Sequence, residues 1–218
     1  MSELTPPLLS VVTNRDAAGG IGPLLEALDA ALATGAVDIV QMREKDLPDA
    51  EQFTLARRLR DLTKGRALFF VNDSASIAEA VHADGVHLGE ASRPVAAVRQ
   101  QRPGLLVGRS VHDTEAARQA EADGAHLIQA GAMFATLTHP GEPPAGAGLV
   151  RAAAGAVSAP VLAVGGVTAA NVSEAVEAGA SGAAVIRAVL AADDPGQAAL
   201  ALRQALEAAW SSRPGETA

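Results

Sequence analysis

The sequence contains no cysteine among its 218 residues. That absence excludes a disulfide framework and a thiolate metal site. Aromatic residues amount to only 2%, so alanine, valine and leucine have to fill the core. Such a composition suits parallel strands covered by helices. Positive charge is also scarce: 17 Lys and Arg face 25 Asp and Glu, a net −8. No stripe of basic residues offsets it, so nucleic acid is not expected as a partner. No apolar stretch approaches the ~20 residues of a membrane span. The segment Met1-Ser2-Glu3-Leu4-Thr5-Pro6-Pro7 has no basic stretch followed by an apolar one. No signal peptide is therefore expected, and the expected location is cytoplasmic.

Apolar residues nevertheless make up 49% of the chain. They fall into eight short runs, at about residues 8–13, 37–41, 67–71, 85–88, 105–108, 125–129, 161–164 and 183–186. Between the runs lie Ala-, Leu- and Arg-rich stretches with helical spacing. Helices are expected over roughly 20–34, 49–63, 74–82, 94–101, 113–122, 147–157, 168–178 and 196–210. Eight alternating βα units predict an α/β fold, a single-domain (β/α)8 TIM barrel over residues 1–210. Residues 211–218 read as a frayed tail. No linker divides the chain, and its longest irregular stretch is 134–148. A weak repeat supports the pattern: Ala83-Asp84-Gly85-Val86-His87-Leu88 resembles Ala122-Asp123-Gly124-Ala125-His126-Leu127. Each reads as a helix stop followed by a strand start.

In such a barrel the active site lies past the strand C-termini. After the second run come Gln41, Arg43, Glu44 and Lys45. Pointing inward, the two cations and the amide form an anion site, with a forked contact from Arg43 and a point charge from Lys45. The bland alternative is a solvated turn with Arg43–Glu44 or Lys45–Asp46 pairing. After the third run come Asn72 and Asp73. Asp73 is either a Mg²⁺ ligand or, like Ser74, a helix cap. Glu90 and Ser92 follow the fourth run, and Arg109, Ser110 and His112 the fifth. His87 and His126, inside runs, read as core residues. Thr136, Thr138 and His139 lie on the long loop, where hydroxyls serve either a phosphate or the surface. Gly165 and Gly166 precede Thr168 at an expected helix start, and Arg187 follows the eighth run. Loops after strands 7 and 8 often bind phosphate in this fold. Two anion positions on one rim result.

The segments Gln41-Met42-Arg43-Glu44-Lys45-Asp46-Leu47, Val71-Asn72-Asp73 and Gly85-Val86-His87-Leu88-Gly89 resemble thiamine-phosphate synthases. So do Gly131-Ala132-Met133-Phe134-Ala135-Thr136-Leu137-Thr138-His139 and Val164-Gly165-Gly166-Val167-Thr168. The thiazole tautomerases share this superfamily, and Gly108-Arg109-Ser110-Val111-His112 is similar to theirs.

The resemblance implies a transferase of thiamine biosynthesis. It joins hydroxymethylpyrimidine diphosphate to hydroxyethylthiazole phosphate and releases pyrophosphate. Arg43, Lys45, Asn72 and Asp73 match the diphosphate and metal positions, with Asp73 the metal ligand and Mg²⁺ the cofactor. Gln41 lies in the same segment and counts as substrate-binding. Ser110 matches a contact near the pyrophosphate. Thr136, Thr138 and Gly166 match contacts to the thiazole partner, and Gly165 and Arg187 are assigned to its phosphate. Arg43, Lys45, Ser110 and His139 are the catalytic candidates. The partners are small phosphorylated substrates, with a homo-oligomer left open. Three positions depart from the pattern: Ser92 for a second Mg²⁺ carboxylate, His139 for a lysine, and Arg187 for a serine. They leave two alternatives open. One is a thiazole tautomerase with His139 or His112 as base, although such a tautomerase's histidine aligns with Ala132. The other is a degenerate homologue that only binds a phosphate ligand.

Overall fold

Every residue of β1 (Leu8–Val12) is buried, yet its side chains enter two different cores. Leu8 and Val12 join Ile39, Phe70, Leu127, Leu162 and Ala184 in one cluster. Leu9 and Val11 join the larger cluster of outer strand faces and helices. Successive side chains of a strand point to opposite faces. A parallel strand covered on both faces therefore reads as a continuous apolar run. That is why the eight runs show no alternation.

The computed structural model describes residues 4–137, 141 and 143–213. After β1 come β2 (Ile39–Met42), β3 (Leu68–Asn72), β4 (Gly85–Leu88), β5 (Leu106–Val111), β6 (Leu127–Gly131), β7 (Val161–Val164) and β8 (Gly182–Val185). The strands pair in parallel in chain order, and β8 closes on β1 with Leu8 opposite Gly182. The expected (β/α)8 barrel is formed. Its helices are α1 (Arg15–Ala18), α2 (Ile21–Ala33), α3 (Asp49–Thr63), α4 (Ala75–Ala80), α5 (Val95–Gln101), α6 (Thr114–Ala122), α7 (Gly146–Ala154), α8 (Val172–Glu177), α9 (Arg187–Leu190) and α10 (Pro195–Ser211).

Several local expectations need correction. Helix α8 begins at Val172, because 168–171 forms a turn in which Asn171 Oδ1 accepts the Thr168 amide at 2.7 Å. Thr168 therefore opens no helix. Strand β5 runs on to Val111, so Arg109 and Ser110 lie within it rather than past its end. The short helices α1 and α9 were not expected; four residues are too few for a visible period. Residues 214–218 of the expected tail lie outside the described residues.

The sequence repeat is not a structural repeat. Gly124 ends α6 in the left-handed conformation at φ 93°, whereas Gly85 is the first residue of β4. The turn after α4 is taken instead by His82 at φ 54°. What does recur is a side chain placed just before a strand that accepts an amide of the preceding strand. Asp38 accepts from Leu9 at 2.6 Å, Asp84 from Phe69 at 2.8 Å, and His126 Nδ1 from Val107 at 2.9 Å. His126 is therefore the counterpart of Asp84, outside its strand, with a structural job at the N-terminal face.

Candidate active site

The C-terminal rim is organised first by uncharged side chains. The Thr13 amide donates to the Gln41 carbonyl at 2.8 Å, and its hydroxyl oxygen accepts from the Arg43 amide at 2.9 Å. These bonds fix the chain as it leaves β2. Neither ion pair of the bland alternative, Arg43–Glu44 or Lys45–Asp46, forms there. Glu44 and Asp46 are both taken by Arg15 of α1, at 3.0 Å for Glu44 Oε2 and in a close forked pair for Asp46. Glu44 is buried, and its Oε1 also accepts the Arg15 amide at 3.0 Å. With both acids occupied, Lys45 reaches Asp73 Oδ2 at 3.2 Å. Among the described residues no carboxylate lies in ion-pair range of Arg43.

Asp73 is the electrostatic centre of the rim. Ser74 caps α4, its hydroxyl accepting the Ile77 amide at 3.3 Å, so Asp73 is released from the capping role. Its backbone sits at φ 60°, uncommon for a non-glycine residue. Oδ1 accepts the Gly89 amide at 2.9 Å and a very short bond from the Ser92 hydroxyl. Oδ2 accepts Asn72 Nδ2 at 2.6 Å beside Lys45. Partial burial alone raises the pKa, but Ser92, Gly89 and Lys45 outweigh it and hold the carboxyl below its usual range. Ser92 thus stands on the same carboxylate that a metal would use. Glu90 does not replace it: its carboxylate faces His112 Nε2 at 3.7 Å. A cavity of about 550 Å³ opens beside Lys45 and Asp73, walled also by Asn72, Ser74, Arg93 and Arg102. That volume holds a small ligand.

Beneath the rim, polar side chains line the barrel interior. Gln41, Asn72, His87 and Gln129 are all buried. His87 Nε2 and Ser110 Oγ lie 2.8 Å apart. Burial, reinforced by Arg109, Lys45 and Arg43 against an opposing effect of Asp73, pushes the His87 pKa down to about 3. It is a neutral core imidazole, as the bland reading held, and it positions Ser110. A Cβ on Gly108 would come within 2.5 Å of His87 Nδ1, so that glycine gives the ring its space.

Arg109 donates to the carbonyls of Glu90 at 2.8 Å and Arg93 at 3.2 Å, clamping the loop that carries Ser92. His112 gives Nδ1–H to the Gly131 carbonyl at 2.6 Å, tying the β5 and β6 ends. Asp113 caps α6, its Oδ1 accepting the Ala116 amide at 2.7 Å.

On the opposite side of the rim, Gly165 and Gly166 take φ 93° and 66°. A Cβ on Gly165 would meet Ala132 Cβ at 2.6 Å, and one on Gly166 would meet the Ala135 carbonyl at 2.5 Å. The pair therefore also seats the loop that leads to Thr136, a requirement the sequence reading had not assigned to it. Arg187 is exposed at the start of α9, just past β8, the neighbour of the glycine-bearing β7. Thr138 and His139 lie outside the described residues. Sequence reasoning missed Arg15, Thr13 and Gln129, whose partners are distant in the chain and leave no local signal.

Cations at strand ends beside one ionised carboxylate point to a class: barrel enzymes whose chemistry lies at the C-terminal rim. The thiamine monophosphate synthase family matches residues 9–189, and the chain belongs to that family. A thiamine-phosphate synthase of Natronomonas pharaonis is 42% identical over 187 residues, 84% of this chain and 87% of its own length. Another, from Gloeobacter violaceus, is 43% identical over 176 residues, but the match spans only 51% of that longer protein. The solved thiamine phosphate pyrophosphorylase of Pyrococcus furiosus superposes with a TM-score of 0.83 at 36% identity, covering 93% of this chain and 96% of that one. No helix among the described residues is long and apolar enough to cross a membrane.

Proposed function

We propose that this chain is a thiamine-phosphate synthase. It joins hydroxymethylpyrimidine diphosphate to hydroxyethylthiazole phosphate. The bond between the pyrimidine methylene carbon and the diphosphate oxygen breaks, and its electron pair leaves with pyrophosphate. The thiazole nitrogen then gives its lone pair to that carbon. The observation that carries the reading is the Lys45–Asp73 pair, held by Asn72 and Ser92 at the barrel rim of a family member.

Lys45 and Arg43 are assigned to the departing diphosphate, where cations are most effective as negative charge develops. Asn72 and Gln41 orient the pyrimidine from below. Gly165, Gly166, Thr136, Thr138 and Arg187 are assigned to the thiazole phosphate. Holding both phosphorylated substrates on one rim would bring nucleophile and electrophile together. Ser110, 2.8 Å from His87 Nε2, is assigned to the pyrophosphate.

The donor set at Asp73 fits Mg²⁺. An ionised carboxylate and a hydroxyl are hard oxygen ligands, and magnesium commonly takes one or two carboxylates plus substrate phosphate oxygens. Among the described residues no group of three acidic, His or Cys side chains could hold a metal, so the diphosphate has to supply much of the coordination. Asp73 and Ser92 would hold the ion, which when bound offsets diphosphate charge. Small phosphorylated substrates are the proposed partners, rather than nucleic acid, and the cytoplasm is the proposed location.

The test is direct. The protein is incubated with both substrates and Mg²⁺, and thiamine phosphate is read by fluorescence after oxidation. Product is expected; none with Mg²⁺ present rejects the synthase reading.

A further inference from the structure

We propose that Gln129 is a positioning residue, the far end of a one-directional chain of amides that fixes Gln41 and Asn72 beneath the anion site. The proposal rests on the synthase reading of that site. The direction of the chain follows from chemistry. An ionised carboxylate only accepts, so Asn72 meets Asp73 Oδ2 with its Nδ2, at 2.6 Å. Asn72 Oδ1 is then left to accept, and Gln41 Nε2 donates to it at 2.9 Å. Gln41 Oε1 accepts in turn from Gln129 Nε2 at 2.7 Å. Each amide has one donor end and one acceptor end, so a single anion at Asp73 settles all three orientations.

Gln129 lies on β6 and Gln41 on β2, 88 residues apart in sequence. The chain crosses the barrel interior from the side of Gly131 to the side of Lys45. Gln129 is only 4% exposed, so water does not readily replace its bond. Removing its N–H leaves Gln41 Oε1 without that donor. Gln41 is then held at one end alone, by its bond to Asn72 Oδ1, and its amide plane is less firmly fixed. In the wild type Gln41 holds one fixed face toward a bound ring. His87 on β4, with Asp73, Arg109, Lys45 and Arg43 acting on it, supplies charge and titration from β2 to β5, and His112, just past β5, bonds the Gly131 carbonyl at the end of β6 at 2.6 Å. Strands β1, β6, β7 and β8 contribute none, and Arg187 follows β8 at the rim.

Two variants of nearly equal size separate this role from packing. Gln129→Met removes the donor. Its KM for the pyrimidine diphosphate should rise about five- to ten-fold, as for loss of one hydrogen bond, with the KM for thiazole phosphate unchanged. Gln129→Glu keeps the shape but donates only when its carboxyl is protonated. Burial and the facing Gln41 oxygen favour that protonated form. A group whose folded pKa is raised stabilises the fold at low pH and loses that contribution as pH rises through the folded value.

The melting temperature of Q129E should therefore match wild type near pH 4, below the unfolded pKa of about 4.3, and fall below it by roughly 3 °C or more near pH 8. Q129M should show an offset that does not change with pH. Unfolding of Q129E at the higher pH alone counts as the same result. A Q129E offset that is constant with pH, or a Q129M protein with both KM values unchanged, overturns the proposal. The melting measurements need no substrate. Failure of wild-type turnover therefore rejects the synthase reading without touching this test.

Discussion

Asp73 collects donors on both carboxylate oxygens, from Lys45, Asn72, Gly89 and Ser92. Its folded pKa lies below the ordinary value. The ionised form therefore stabilises the fold above the unfolded pKa of about 3.9, and that contribution fades as pH falls through the lowered value. Asp73→Asn should melt below wild type near pH 7, and the gap should narrow in acid. Thermal melts at about pH 7 and about pH 3 check this; a gap that widens in acid contradicts it. At this scale the sequence showed which residues stood at the rim but not whom they touched. Glu44 and Asp46 looked like partners for Arg43 and Lys45 because they are adjacent. Adjacent side chains along this segment diverge, Glu44 inward and Lys45 outward, and both acids went to Arg15, about thirty positions earlier.

Between elements, that Arg15 cluster joins the β1–α1 turn to the segment carrying Arg43 and Lys45. Glu44 is nearly enclosed, its side chain 3% exposed, whereas Arg15 is 21% exposed. Arg15→Met leaves a buried carboxylate without its cation. The loss should be about 2 kcal/mol, below the range for a fully buried pair because water still reaches the Arg15 end. Chemical denaturation measures it. Adding Glu44→Gln should restore most of the stability, since no charge is then stranded; a double variant no better than the single one rejects the argument. Element type and order were legible because each strand is an uninterrupted apolar run between amphipathic stretches. Element ends were not. Helix α8 loses its expected first turn to Asn171, whose side chain caps the Thr168 amide and holds the Gly166 carbonyl at 3.0 Å. Side chains that can bond their own backbone compete with helix formation, and a sequence does not reveal which option wins. The paired histidines show the same limit: His87 and His126 look equivalent in sequence, but only His87 is a strand residue.

Across the whole molecule, the two barrel faces divide the work. The C-terminal face carries the charged site. The N-terminal face is closed by backbone caps and by Arg203 of α10, which reaches the Ala36 carbonyl at 2.7 Å, the Pro7 carbonyl at 2.8 Å, and Asp38 in a close ion pair. Asp38 also accepts the Leu9 amide at 2.6 Å. A single guanidinium thus fastens the C-terminal helix to the start of the chain and to the turn before β2, beside the seam where β8 meets β1. Its side chain is 13% exposed, so these bonds are only partly screened. Arg203→Met keeps the aliphatic stem and removes every one of them. Two carbonyls and a carboxylate lose their donor, at a cost of about 3 kcal/mol. For a chain of this size that lowers the melting temperature by roughly 6–12 °C. Conservation of function should follow from distance: in a TIM barrel the N-terminal face governs stability and the C-terminal face chemistry. At a temperature where both proteins are folded, the variant's KM values for the two substrates and its kcat should equal those of wild type. A variant that melts like wild type, or one that keeps its stability but loses turnover, contradicts this division between the faces.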